Sequence, residues 1–288
     1  MLYNIKSDLI SVLVSSHGAE LQSIVFNDAS YLWNGDSRYW SGRATNIFPY
    51  VARLTEGRYL YKDKSYYLDI HGFVHHSEFY VESHGKNHIS FCLRSDAETR
   101  KVYPFDFLYR VIYHLHGTWL EICYEVENLG EDMYFGLGGH PGFMVPLEYG
   151  LLFEDYYLEF LPACHPRRVT FSPQLLVTGT RPYPLENGKI IRLNHHLFDD
   201  DAIILTDVSS SVSLKSDKGH RSVTVTYPDM SFLGLWHAPK TDAPYICIEP
   251  WASLPSRHGI VEDLQKQPDL IKLDSRKTYK NRWWIDFA

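Results

Sequence analysis

Three short stretches set a titratable side chain into text that otherwise reads as β-structure or tight turns. "LDIHGF" carries His71, "GLGGHPGF" carries His140 and "YICIEPW" carries Glu249. An imidazole and a carboxyl group are the usual means of putting one proton on a substrate while taking another off. In "GLGGHPGF", Gly138 and Gly139 permit φ/ψ values closed to other residues and Pro141 fixes the chain. The backbone is therefore expected to aim His140, the alternative being a bulge in which the imidazole only satisfies nearby main chain. In "YICIE", alternation places Tyr245, Cys247 and Glu249 on one face and Ile246 and Ile248 on the other. A carboxyl group held there by Pro250 and Trp251 is costly to bury unless it is paired or used, which points to function. His71, before Gly72, reads either as a hydrogen-bonded structural imidazole or as part of a site.

Other candidates carry less. Arg53 in "NIFPYVARL" follows a Pro-containing turn and is suited to clamping a polyhydroxyl ligand or to pairing with a local carboxylate. Asp199, Asp200 and Asp201 precede an apolar run, the usual context of a solvated turn. His75 and His76 read as exposed. The fifteen histidines show no zinc-like spacing in a helical frame, so no metal is predicted.

The elements that must position these residues are strands. Period-two alternation recurs in "SVLVSS", "HISFCLRS", "FLYRVIYHLHG", "WLEICYEVEN", "SVTVTYPD" and "RWWIDF", and turn text such as "ESHGKNH", "NLGED" and "SDKGHR" separates several of them. Helical text is limited to single turns near "EDLQKQPD" and "DSRYW". This predicts an all-β chain, a large antiparallel sandwich whose sheets cover each other's apolar faces. No repeat or linker divides it, so residues 1–288 are expected to form one domain.

Composition narrows the partners. A net charge of −7 with no basic run disfavours nucleic acid and anionic membrane. The N-terminal stretch lacks the features of a secretory signal, and Cys92, Cys123, Cys164 and Cys247 are scattered through strand-like or turn text as free thiols. A soluble cytoplasmic protein is expected. Aromatic residues make up 15% of the chain, enough both for a thick core and for a cleft that stacks on flat ligand faces.

Taken together and in order, "NIFPYVARL", "HGF", "YPFDFLYRVIYHLHG", "VENLGEDMYFGLGGHPGF" and "YICIEPW" resemble the aldose 1-epimerase (galactose mutarotase) family, and within it the LacX-like branch. The resemblance spans nearly the whole chain. It implies the galactose-mutarotase-like supersandwich with an open cleft, and an isomerase that interconverts the α and β anomers of a free aldose. It also implies roles: His140 as general acid, Glu249 as general base, His71 as a second active-site histidine, and Arg53, Asp201 and Trp236 as substrate contacts. Branch relatives commonly read "HGFxR" where this chain has Val74 and His75, and "GRL" where it has Ala52, Arg53 and Leu54, so the sugar preferred is where this chain departs.

That reaction needs one proton removed from the C1 hydroxyl and one delivered to the ring oxygen, so no cofactor is predicted. Glu249 as carboxylate would take the first and His140 as imidazolium would supply the second, with the carboxylate raising the protonated fraction of the imidazole. The partner is a small sugar, with the protein a monomer or homodimer. A non-catalytic sugar-binding sandwich, a mutarotase of phosphorylated hexoses, and a glycoside hydrolase are the alternatives, the last requiring a second flanking carboxylate.

Overall fold

A computed structural model describes all 288 residues. The alternating stretches form two large antiparallel sheets, as the periodicity predicts. The nine-stranded sheet runs in the order Ile190–Arg192, Tyr156–Phe160, Ser211–Ser216, Val223–Thr226, Thr278–Phe287, Trp119–Asn128, Phe107–His116, His88–Arg94 and Tyr80–His84. The seven-stranded sheet runs Val177–Pro182, Arg167–Phe171, Ile203–Thr206, Phe232–Trp236, Tyr245–Trp251, Gly138–Met144 and Ala44–Ile47. A four-stranded sheet begins with Leu2–Lys6, and two short ribbons complete the sheet structure. The one α-helix is the single turn Thr99–Val102. "DSRYW" and "EDLQKQPD" also form only turns, closed by Trp40 N–H to Asp36 O and Gln267 N–H to Asp263 O.

Why the sheets pack as they do is visible in "FLYRVIYHLH". Tyr109, Val111, Tyr113 and Leu115 point inward and are buried, whereas Arg110, Ile112, His114 and His116 face outward. The inner face of this sheet meets the face of the seven-stranded sheet that carries Asn46 and Gly139. Asn46 donates to the carbonyls of Gly18 and Ala19 at 3.0 Å each and accepts from the Tyr124 hydroxyl at 2.9 Å. Its neighbours Thr45 and Ala44 are thereby fixed beside the Gly138–Met144 strand. The main buried cluster takes members from Ile5 to Phe287, so both ends of the chain contribute to one core. The opposite face of the seven-stranded sheet is left to line a cleft.

Candidate active site

His140 and Glu249 lie on adjacent strands. The pairs Gly138 with Trp251 and Gly142 with Cys247 fix a register that sets His140 directly across from Glu249. Side chains opposite each other in an antiparallel pair share a face. The result is a contact of 3.3 Å between Nε2 of His140 and Oε2 of Glu249. Pro141 and Pro250, one on each strand, bracket this rung and supply no N–H to the ladder. Thr45 stands opposite His140 on the far side and Gly234 opposite Glu249. Both polar residues are therefore mid-strand, each with a paired strand on either side.

The glycines before His140 have a different purpose from the one expected. Neither Gly138 nor Gly139 adopts a positive φ, and Gly138–Met144 is a regular strand. Close approach is what excludes a side chain. A β-carbon on Gly139 would lie 2.6 Å from Cζ2 of Trp283, and one on Gly138 would lie 2.7 Å from the Pro250 carbonyl oxygen. The imidazole is aimed by strand register and by tight packing from behind, with no special backbone conformation.

Burial shifts both groups of the pair away from their charged forms. His140 and Glu249 are 9% and 1% exposed. Loss of water pushes the Glu249 carboxyl well above its ordinary range, and the nearby Asp201 carboxylate pushes it further in the same direction. Burial lowers the His140 imidazole to about 4. In the free cleft both shifts favour the uncharged forms, a carboxylic acid beside a neutral imidazole. Desolvation disfavours the charged form of each group and is the largest cause of both shifts. Oε2 of Glu249, Nδ1 of His140 and Nε1 of Trp251 are buried without a hydrogen-bond partner. Such atoms are costly to leave unsatisfied, and a polar ligand in the cleft would satisfy them.

The cleft above the pair has a volume of about 400 Å³, and it gathers His71, Arg53, Asp201 and Trp236 around His140 and Glu249. All six residues singled out in the sequence therefore share one site. His71 has φ +64° and its Nδ1 accepts the Ala52 N–H at 3.3 Å, so the ring proton resides on Nε2. Burial holds this imidazole well below its usual value, making it a neutral donor. Its ring meets that of His140 edge-on, with centroids 5.5 Å apart. Gly72 is needed next because its φ is +77° and a β-carbon there would lie 2.2 Å from the Phe48 carbonyl oxygen.

Arg53 lines the cleft with no carboxylate paired to it, which removes the local ion-pair alternative. The Asp triplet divides its work. Asp199 contacts His196 at 2.9 Å, while Asp201, at φ +76°, faces the cleft. Trp40, Thr45, His75, Phe171 and Trp251 also line the site. Trp40 covers the His140 ring at 4.8 Å, and nothing local in "DSRYW" marks it for that place. His75, read as exposed, is half-buried, and loss of water lowers its imidazole to about 4.

A metal ligand set also exists on paper here. Donor atoms of His140, Cys247 and Glu249 lie within 4.8 Å of one another. Burial keeps the Cys247 thiol well above its usual value, so it is protonated and a poor ligand as it stands.

A paired imidazole and carboxyl group in an aromatic cleft on a supersandwich is the arrangement that the sequence resemblance implies. Residues 1–263 match the family model described as Aldose 1-epimerase. The chain belongs to the aldose 1-epimerase family. It is 33% identical to the chromosomal LacX protein of Lactococcus lactis subsp. lactis, over 97% of this chain and 98% of that protein. The structure of a galactose mutarotase related enzyme from Lactobacillus acidophilus superposes with a TM-score of 0.95 at 36% identity, covering 100% of this chain and 97% of that one. A galactose mutarotase-like protein from Lactobacillus casei superposes at 0.94 and 27% identity, with both chains fully covered. This family member is therefore all-β, with the galactose-mutarotase-like architecture, and is an isomerase of the epimerase class. Its strand Thr278–Phe287, beyond the family match, sits centrally in the nine-stranded sheet and supplies Trp283 behind Gly139.

Proposed function

We propose that this aldose 1-epimerase interconverts the anomers of an unphosphorylated aldose, with Glu249 and His140 exchanging the two protons and His71, Arg53, Asp201 and Trp236 holding the sugar. The 3.3 Å rung between Nε2 of His140 and Oε2 of Glu249 carries this reading. The C1 hydroxyl oxygen and the ring oxygen are bonded to the same carbon, so an acid and a base that serve them must themselves be neighbours.

One proton shared by the pair is the correct inventory. Glu249 as carboxylate takes the C1 hydroxyl proton while His140 as imidazolium protonates the ring oxygen; the ring opens, C1 turns, and closure on the other face returns both protons. The free cleft stores the same proton on Glu249. A sugar brings hydroxyl groups to atoms that lack partners, and Arg53 brings positive charge, which together favour the charge-separated form that the reaction needs. His71 donates from Nε2 to a substrate oxygen. Trp236 and Trp40 offer flat apolar faces to the ring carbons.

The cleft favours a neutral sugar over a phosphorylated one. Arg53 is the sole Lys or Arg in its lining, and Asp201 and Glu249 place two carboxyl groups there. A binding module would gain nothing from burying an acid and a base in contact. We further assign residues 1–288 to one functional unit, on the shared core, and the protein to the cytoplasm, on its four free cysteines. No helix is long and apolar enough to cross a membrane.

The test is polarimetry on freshly dissolved single anomers of free hexoses and pentoses, with hexose 6-phosphates alongside. Acceleration of a free aldose toward its equilibrium rotation is expected. No acceleration of any aldose would overturn the assignment, and a preference for the phosphorylated sugars would overturn its substrate class.

A further inference from the structure

On the far side of the sandwich from the cleft, the outward face of the nine-stranded sheet carries a second cluster of histidines. We propose that His114, His116 and Glu121 form a binding site for a borderline transition-metal ion such as Zn²⁺ or Cu²⁺, independent of the sugar site. Two histidines separated by one residue face opposite ways along a helix but the same way along a strand. Here they occupy the strand Phe107–His116, and the ladder sets Glu121 of the next strand directly opposite His114.

The geometry is close to what such an ion requires. A donor atom from each of the three residues lies within 4.8 Å of the other two. Nε2 of His116 is 3.1 Å from Oε2 of Glu121, and the two imidazole rings have centroids 4.0 Å apart. Tetrahedral zinc with bonds of about 2.0–2.2 Å to nitrogen and oxygen leaves its ligand atoms about 3.3 Å apart. His116 is further fixed by stacking on Trp119 at 4.3 Å with planes 19° apart. All three ligands are half-buried, which leaves solvent access for a water to complete the coordination.

Two contacts oppose loading. Asn87 Nδ2 lies 3.0 Å from Nε2 of His114 and must turn its amide or give way as the ring proton shifts. Nε of Arg282 lies 3.8 Å from Oε1 of Glu121 and competes with the ion for that carboxylate. His88, paired opposite His114 on the other neighbouring strand, has its ring centroid 6.0 Å from that of His114, outside the cluster. The site is thus an adaptable one of moderate affinity. Its ion would tie together the two strands that flank the turn at Gly117.

Isothermal titration of the full-length protein with Zn²⁺, together with quenching of tryptophan fluorescence by Cu²⁺ through Trp119, tests the assignment. One ion per chain is expected, with affinity at least about tenfold weaker in His116→Ala and in Glu121→Gln. Arg282→Gln should tighten binding, a gain that misfolding would not produce. Anomerisation should be unchanged in all three variants. No binding by the wild type, or one-to-one binding unaltered by His116→Ala, would overturn the proposal; the latter would place the ion elsewhere, with the His140, Cys247 and Glu249 trio the first place to look.

Discussion

Gly139 and Trp283 touch across the interior of the sandwich, and that contact sets the depth of His140. A β-carbon at residue 139 would come within 2.6 Å of the indole. The next residue is the proposed acid, so any retreat of the strand moves the imidazole relative to Glu249.

Gly139→Ala is therefore expected to cost about 1–3 kcal/mol of stability through overpacking and to lower kcat while the fold persists. Chemical denaturation beside polarimetric rates checks both parts. A variant with full stability and full activity would show that Trp283 moves aside freely and that the strand is not held from behind.

Glu249→Gln keeps the shape of the side chain but removes the base, so kcat should drop by about 10² or more with a smaller change in sugar affinity. His140→Asn should act likewise. The double variant should lose far less than the product of the two single losses, because either change alone disables the same exchange of protons. Rates and affinities of the three variants provide the comparison. A Glu249→Gln enzyme with near wild-type rate would shift attention to Asp201, the other carboxyl group in the cleft.

The pH dependence follows from a pair that works only with one proton. Below about 4, His140 in the free cleft takes up a second proton and no base remains, so kcat/KM should fall on the acid side there. On the alkaline side the pair loses its only proton, and burial of Glu249 postpones that loss to well above the usual carboxyl range. A broad plateau between the two limbs is expected, the limbs belonging to the pair and to neither residue alone. An acid limb near the ordinary histidine value of about 6.5 would show that the cleft does not keep water from the imidazole.

Exhaustive treatment with EDTA should leave anomerisation intact, since the proposed acid and base account for both protons. Any ion at His114 and His116 would be stripped at the same time, which makes the result informative about its separation from catalysis. Activity lost to EDTA and restored by a divalent ion would contradict the mechanism.

Much of this was legible along the chain because strands write their geometry locally. Alternation in "YICIEPW" identified which face Glu249 shares with Cys247, and in "FLYRVIYHLH" it separated core tyrosines from outward residues. Register is not local: nothing near residue 140 says that residue 249 stands opposite. Trp40, His75 and Phe171 reach the cleft from turns or from other strands, where only the tertiary path decides what a side chain meets. Reading Gly138 and Gly139 as conformational failed for the same reason, since the indole that forbids a β-carbon comes from residue 283. The shifts in protonation were not legible either, because burial depth belongs to the assembled sheets and cannot be read from neighbours in sequence.

His140 and Glu249 are mounted on adjacent strands in mid-sheet, whereas Arg53, His71, His75 and Asp201 come from the loops and turns that rim the cleft. Selection for a new sugar can therefore work on the rim while the proposed acid and base stay untouched. Libraries randomised at residues 53, 75 and 201 should yield catalysts with altered preference, and libraries at 139 to 141 or 248 to 250 should yield mostly inactive protein. The architecture makes this chain a good starting point for evolving anomerases toward unusual aldoses.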